Sequence, residues 1–300
     1  MTFSVMFHYF HDNNRYKKAQ GSLSSLELES IINSDKYEVL SADNWLQMYK
    51  EKSLKTNQVC FSFDDGLKEQ LDIALPVLEK YGLKAIWNIN TNPTLGNLDK
   101  LEAYRNFRNY FFADIDDFYN KFFIEVEKLS QVDCEKICNN VDFNQYLKDS
   151  TFYSFNDRKF RYFRDEILKD DYFNIMDNMI KEKVEIDTLR DKLWMNKEDI
   201  KSLADKGHKI GLHTHLHSTN LDRLDYEEQY EDFKLNKTIL EEIIQQEVTV
   251  AAYPCGKYNT ESIRVLEELG IEYAFLAHKK GSNNNYEIDR IDCADILKEV

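Results

Sequence analysis

Four of the seven histidines fall between positions 208 and 217, in the segment Gly207-His208-Lys209-Ile210-Gly211-Leu212-His213-Thr214-His215-Leu216-His217. His213 and His217 are four residues apart, so a helical turn sets both imidazoles on one face and His215 elsewhere. Two neutral imidazoles with one carboxylate make a donor set for Zn²⁺ or a neighbouring divalent metal, with a position left open for water. A pair of carboxylates, Asp64-Asp65, follows the apolar run Val59-Cys60-Phe61-Ser62-Phe63 and precedes Gly66. Adjacent carboxylates at the end of a buried strand are costly unless paired, metal-bound or catalytic. The plain alternative is an Asp-Asp-Gly turn with both carboxylates in water.

Two further segments are weaker alone. Ala252-Tyr253-Pro254-Cys255-Gly256 is a strand-to-loop corner where backbone N–H groups can face a cleft. Phe7-His8-Tyr9-Phe10-His11-Asp12 ends the first apolar run, and a histidine there is as readily structural as catalytic.

The elements that must position these groups read as strands alternating with helices. Strands are expected at 4–7, 59–63, 84–90, 208–212, 248–253, 272–276 and 286–291. Helices are expected over 67–81, 196–206 and 260–269, closed by Gly82, Gly207 and Gly270. Such alternation predicts parallel strands with right-handed crossovers. Functional groups in such folds collect at the C-terminal ends of strands, and all four segments sit at such ends. Between about 97 and 192 no strand is evident. The stretch is rich in Phe, Tyr, Asp and Lys at helical spacing and reads as a helical insertion within one catalytic domain spanning 1–300. Its aromatics either pack a core or form a lid over a substrate site. Its run Arg158-Lys159-Phe160-Arg161-Tyr162-Phe163-Arg164 is either a solvated face or a place to meet a phosphate.

Across 300 residues, 39 Lys+Arg stand against 54 Asp+Glu, a net charge of −15. That balance excludes nucleic acid as the main partner, which needs a concentrated basic surface, and disfavours an anionic membrane. With 42% hydrophobic and 13% aromatic residues the chain can fill a large core. No run approaches the roughly 18 apolar residues of a spanning helix. The first residues lack a secretory pattern, and five scattered cysteines make no disulfide framework. A reduced, cytoplasmic protein is the expectation.

Taken jointly, these segments resemble the polysaccharide deacetylase family, the fourth family of carbohydrate esterases. Ser62-Phe63-Asp64-Asp65-Gly66 resembles its T/S-F-D-D-G motif, His213-Thr214-His215-Leu216-His217 its H-S/T-x-x-H motif, and Tyr253-Pro254-Cys255-Gly256 its Y-P-x-G corner. The resemblance covers 1–94 and 193–293. It implies a distorted (β/α) barrel with a divalent metal, Zn²⁺ by default, held by Asp65, His213 and His217. It implies Asp64 as general base and the Tyr253 N–H facing the oxyanion. The arginine that many members carry before the Tyr-Pro corner is missing from Val248-Thr249-Val250-Ala251-Ala252, and Arg290 is the candidate substitute. His8 resembles the acid histidine of members with permuted motifs. His278, in Leu276-Ala277-His278, fits the letters of the usual C-terminal motif but follows the corner too closely.

The resemblance implies removal of an N-acyl group, acetyl or formyl, from an amino sugar. A cytoplasmic enzyme would meet a sugar nucleotide or lipid-linked precursor of a surface glycan such as lipopolysaccharide or capsule. Hydrolysis of a cyclic, non-sugar amide and glycan binding without turnover are the competing readings.

Overall fold

The computed structural model describes residues 2–12, 14–148 and 153–300. The chain divides into two compact units. One comprises Met1–Asp99 with Arg190–Val300, and the other is Lys100–Leu189.

The first unit is built on a seven-stranded, all-parallel sheet. Its strands are β1 (Ser4–Phe7), β4 (Phe61–Asp64), β5 (Ile86–Ile89), β6 (Lys209–Leu212), β7 (Val250–Ala252), β8 (Tyr273–Phe275) and β9 (Arg290–Asp292), in spatial order 8-7-6-5-4-1-9. A short parallel pair, β2 (Glu38–Val39) with β3 (Gln58–Val59), lies apart. β1, β4 and β5 are buried at every residue, as expected of parallel strands covered on both faces. Phe7, Phe63 and Trp87 stack through this core, with the Phe63 and Trp87 ring centroids 4.3 Å apart, and Phe61 meets Phe7 edge to face.

One segment joins the sheet's two edges. Ile288 exchanges backbone hydrogen bonds with β8, donating to the Ala274 carbonyl (2.9 Å) and accepting from Leu276 N–H (2.8 Å). Two residues later, β9 pairs with β1 in the register Ser4↔Arg290, Val5↔Ile291, Met6↔Asp292. The sheet is thereby curled into a barrel, with its seam just before Arg290.

Several expected elements are shorter or divided. The run 59–63 splits at Cys60, with Val59 pairing β2 and Phe61–Asp64 pairing β1 and β5. The expected helix 67–81 is a π-helical turn at Gln70–Ala74 running into an α-helix at Leu75–Lys80. Pro76 lacks the N–H that an unbroken α-helical ladder requires there. The wide turn also carries Gln70, whose amide donates to the carbonyls of His8 (2.8 Å) and Asp64 (2.7 Å) and ties two strand ends together.

The second unit is helical, with no strand among its described residues. Phe107, Phe118, Phe122, Phe160, Phe163 and Met176 are fully buried in its own core. The rings meet mostly edge to face, as between Phe122 and Phe160 at 4.9 Å, the arrangement that ring quadrupoles favour.

Candidate active site

β4 ends on Asp64. Its carboxylate is 1% exposed and is held on three sides. Arg290 on β9 donates Nη1 to Oδ1 and Nη2 to Oδ2, both at 2.7 Å. Asn88 on β5 donates Nδ2 to Oδ1 at 2.8 Å. The guanidinium is itself pinned by the Leu276 carbonyl and Ser62 Oγ. Burial would raise the Asp64 carboxyl, but Arg290, with His213 and His8 nearby, holds it well below the carboxylate range. Asp64 is therefore ionised at every working pH. Oδ1 is occupied by two donors, so Oδ2 is the atom left to accept a proton. His8 Nε2 stands 3.8 Å from Oδ2.

Asp64 can sit this deep because its neighbours leave room. A Cβ at Gly211 on β6 would lie 2.3 Å from Asn88 Oδ1, so a side chain there would push Asn88 off Asp64.

Beyond Asp64 the chain turns sharply. Asp65 has φ 75° and Gly66 φ 62°. A non-glycine residue in that region is strained and usually marks function. The turn brings Asp65 to the end of β6. There His213 Nε2 and His217 Nε2 lie 3.3 and 3.2 Å from Asp65 Oδ1. Ligand atoms of these three residues all lie within 4.8 Å of one another. The pair does not meet on a helical turn, as the i,i+4 spacing suggested. The segment after Leu212 is an irregular loop with Thr214 at φ 56° and His217 at φ 53°.

The hydrogen bonds fix what faces the centre. His213 Nδ1 is 2.9 Å from the Ala252 carbonyl, which only accepts, so Nδ1 carries a hydrogen and Nε2 is the nitrogen that faces Asp65. His217 Nδ1 is 3.0 Å from Asp99 Oδ2. Asp65 Oδ1 is buried and has no hydrogen-bond partner. Ring nitrogens and carboxylate charge thus converge on one point, and the donor set, one oxygen and two imidazole nitrogens, suits a divalent cation. The outward contacts to a carbonyl and a carboxylate are those that orient metal-binding imidazoles.

In the metal-free protein a proton takes up part of that charge. Burial would lower His217, but the Asp65 and Asp99 carboxylates push it up to about 9. Below that pH the ring is protonated and a metal must displace the proton. Metal affinity is therefore expected to rise about tenfold per pH unit through neutrality and level off near pH 9. Competition with a chromophoric chelator at several pH values measures this, and a flat profile would contradict it.

The loop itself is held from behind by the helix Tyr226–Ile244. Asp232 Oδ1 accepts the N–H groups of His215 and Leu216, both at 2.8 Å. Asn236 Oδ1 accepts His213 N–H at 3.0 Å, and its amide donates to Ile89 O and Thr91 Oγ1. Asp232→Ala is expected to weaken metal binding about 10–100-fold, the scale of a lost second layer of support. Gln229→Ala, on the same helix but bonded to Ser262, should lower thermal stability without that loss.

Other expected residues are placed differently. The Tyr253 N–H does not face an oxyanion but donates to the Phe275 carbonyl (3.2 Å). Pairing of β7 with β8 runs one residue past the end of β7 and takes it. The Tyr253 side chain is fully buried, with its hydroxyl on Tyr286 O. His278 is exposed, and a Cβ at Gly256 would lie 3.3 Å from its Nδ1. It lies against the Tyr-Pro corner and is not among the residues clustered with Asp65. Arg290 does meet Asp64. Asp99, Asn88, Gln70, Asp232 and Asn236 carried no motif, and only the polar i,i+4 pair at 232 and 236 on a helix face is a signal that sequence reasoning can use.

The polysaccharide deacetylase family model matches residues 154–274, which hold the His213–His217 loop and the Tyr253 corner; Asp64 and Asp65 lie outside that stretch. No curated protein matches the chain. Among solved structures it is similar to the Streptococcus pyogenes deacetylase PplD in complex with acetate, at 14% identity and TM-score 0.58, covering 99% of this chain and 96% of that one. It is similar to a de-N-acetylase from Aggregatibacter actinomycetemcomitans at 13% and 0.58, covering 99% and 98%. IcaB from Ammonifex degensii gives 13% and 0.55, covering 99% and 97%. These likenesses share one fold along almost the whole chain, and the polysaccharide deacetylase family model falls on the loop that supplies two of the three converging ligand atoms.

Proposed function

We propose that the chain is a metal-dependent hydrolase that removes an N-acyl group, acetyl or formyl, from an amino-sugar unit of a glycan or its precursor. The observation that carries this reading is the convergence of Asp65, His213 and His217 beside an ionised, arginine-clamped Asp64. The three residues would hold the metal, Zn²⁺ by default. A divalent metal in such a site lowers the pKa of water and polarises an acyl carbonyl. Asp64 Oδ2, the carboxylate atom with room for another donor, takes the proton of the attacking water. Arg290 and Asn88 keep that carboxylate from turning. His8 stands on the same side and delivers a proton to the departing amine nitrogen as the C–N bond breaks, since an amide anion is a very poor leaving group.

The test is mass spectrometry of N-acetylated and N-formylated amino sugars, their oligomers and their nucleotide-linked forms after incubation with metal-loaded protein. Free amine and carboxylate in equal amounts are expected. Stoichiometrically metalled protein that releases neither across the panel would end the reading. For the acid, His8→Ala should lower kcat roughly 10²–10⁴-fold without changing metal content. His278→Ala should leave kcat unchanged. The reverse outcome would transfer the role to His278.

A further inference from the structure

The helical unit holds five arginines, and three of them are accounted for. Arg105 pairs with Glu102. Arg158 donates to the carbonyls of Asn144, Tyr146 and Tyr153. Arg164 forks onto Asp165. Arg108 and Arg161 have no hydrogen bond or ion pair to any described residue. Both are partly buried, and the Nε atom of each is buried without a partner. The two are near enough for their charges to repel, and the Arg108 guanidinium lies 5.8 Å from the centroid of Phe160, the residue before Arg161. Arg161 lies 4.0 Å over Tyr153.

Asp157 acts on Arg161 through its charge but forms no hydrogen bond or ion pair with either guanidinium. Asp157 Oδ1 accepts the Tyr119 hydroxyl, and Oδ2 accepts Ser154 N–H and Oγ–H at the start of its helix. A ring face attracts a cation but satisfies none of its N–H groups. Two like charges partly withdrawn from water with no ion pair are unfavourable in proportion to their burial. Burial, with Arg108 and Arg164 close by, pulls the Arg161 guanidinium below its ordinary value.

We propose that Arg108 and Arg161 form an oxyanion site in the helical unit, with a phosphate ester as its ligand class. Two guanidinium groups offer two positive charges and a surplus of fixed donors. A tetrahedral phosphate, with up to two negative charges and three free oxygens, matches both counts. A planar carboxylate is satisfied by one guanidinium. The site stands independently of the metal centre.

The experiment is site-resolved labelling of wild-type protein with phenylglyoxal, which reacts with free guanidinium groups, read by peptide mass spectrometry. Inorganic phosphate is expected to slow labelling of both Arg108 and Arg161 several-fold relative to chloride or acetate at equal ionic strength, and to raise Tm by linkage. Arg161→Gln keeps most of the stem over Tyr153 and should weaken phosphate protection of Arg108 about tenfold. Arg105→Gln should leave it unchanged. Stronger protection by a nucleoside diphosphate than by phosphate identifies the ligand as a nucleotide-linked ester, and equal protection identifies a simpler phosphate. Labelling that is the same in phosphate and chloride, or protection as strong by acetate, would overturn the proposal. So would unchanged protection in Arg161→Gln. The labelling arms need no variant, so a variant that fails to fold leaves the proposal open to refutation.

Discussion

Replacing Asp64 by asparagine is expected to leave metal content unchanged and to lower kcat by roughly 10²–10⁴-fold. The amide keeps the shape of the carboxylate but has no charge with which to take a proton. The variant also leaves Arg290 buried against a neutral group. Losing one partner of a buried pair typically costs about 3–5 kcal/mol, so Tm should fall as well and the assay belongs well below it. Metal content measured on the same preparation separates the two aspartates. Parallel loss of metal and activity in Asp64→Asn, with both retained in Asp65→Asn, would exchange their roles.

Replacing His217 by alanine is expected to abolish stoichiometric metal and, with it, activity. Its ring is one of two nitrogen donors facing Asp65 Oδ1, and the pair left behind cannot complete the set. Asp99→Ala should act on the same property more mildly, about 10–100-fold in affinity, because it removes the carboxylate that orients the ring and not the ligand itself. Unaltered metal content in His217→Ala, with the fold intact by circular dichroism, would take these residues out of the account. Full retention of affinity in Asp99→Ala would show that the loop alone fixes His217.

The parts of this architecture that can be read from the sequence are those written locally. Apolar runs ending in Asp-Asp-Gly or Tyr-Pro mark strand ends, and four such ends point to one rim. His213 and His217 are legible as a pair, but the conformation joining them is not. Spacing alone assumes a helix, whereas positive φ angles at Thr214 and His217 bring the rings together. Arg290 is offered by the family resemblance as a substitute for the missing arginine, and its guanidinium does lie on Asp64. Asp99 lies 118 residues from His217, and Asn88 reaches Asp64 only because their strands are neighbours in register. Such long-range pairings leave no periodic trace. The helix Tyr226–Ile244 is absent from the expected elements although it opens on an Asp225/Glu228 capping box, and with it goes the support behind the histidine loop. The Tyr253 N–H reads as free in the sequence because sheet pairing past the end of a strand cannot be seen in composition.

The barrel's seam also sets the order in which this site comes into being. Asp64 lies on an early strand, while its counter-charge lies 226 residues further along, on the strand that bridges the two edges of the sheet. During synthesis, β1 and β4 can pair long before Arg290 leaves the ribosome. Until then the carboxylate must remain hydrated or protonated, so the mouth of the barrel stays wet and unfinished. Closure of the sheet and charging of Asp64 are then one event, among the last contacts made, because contacts this distant in sequence carry the largest loop-closure cost. A nascent or partly unfolded chain thereby lacks the clamp on Asp64, since the strand that completes the wall also delivers the guanidinium.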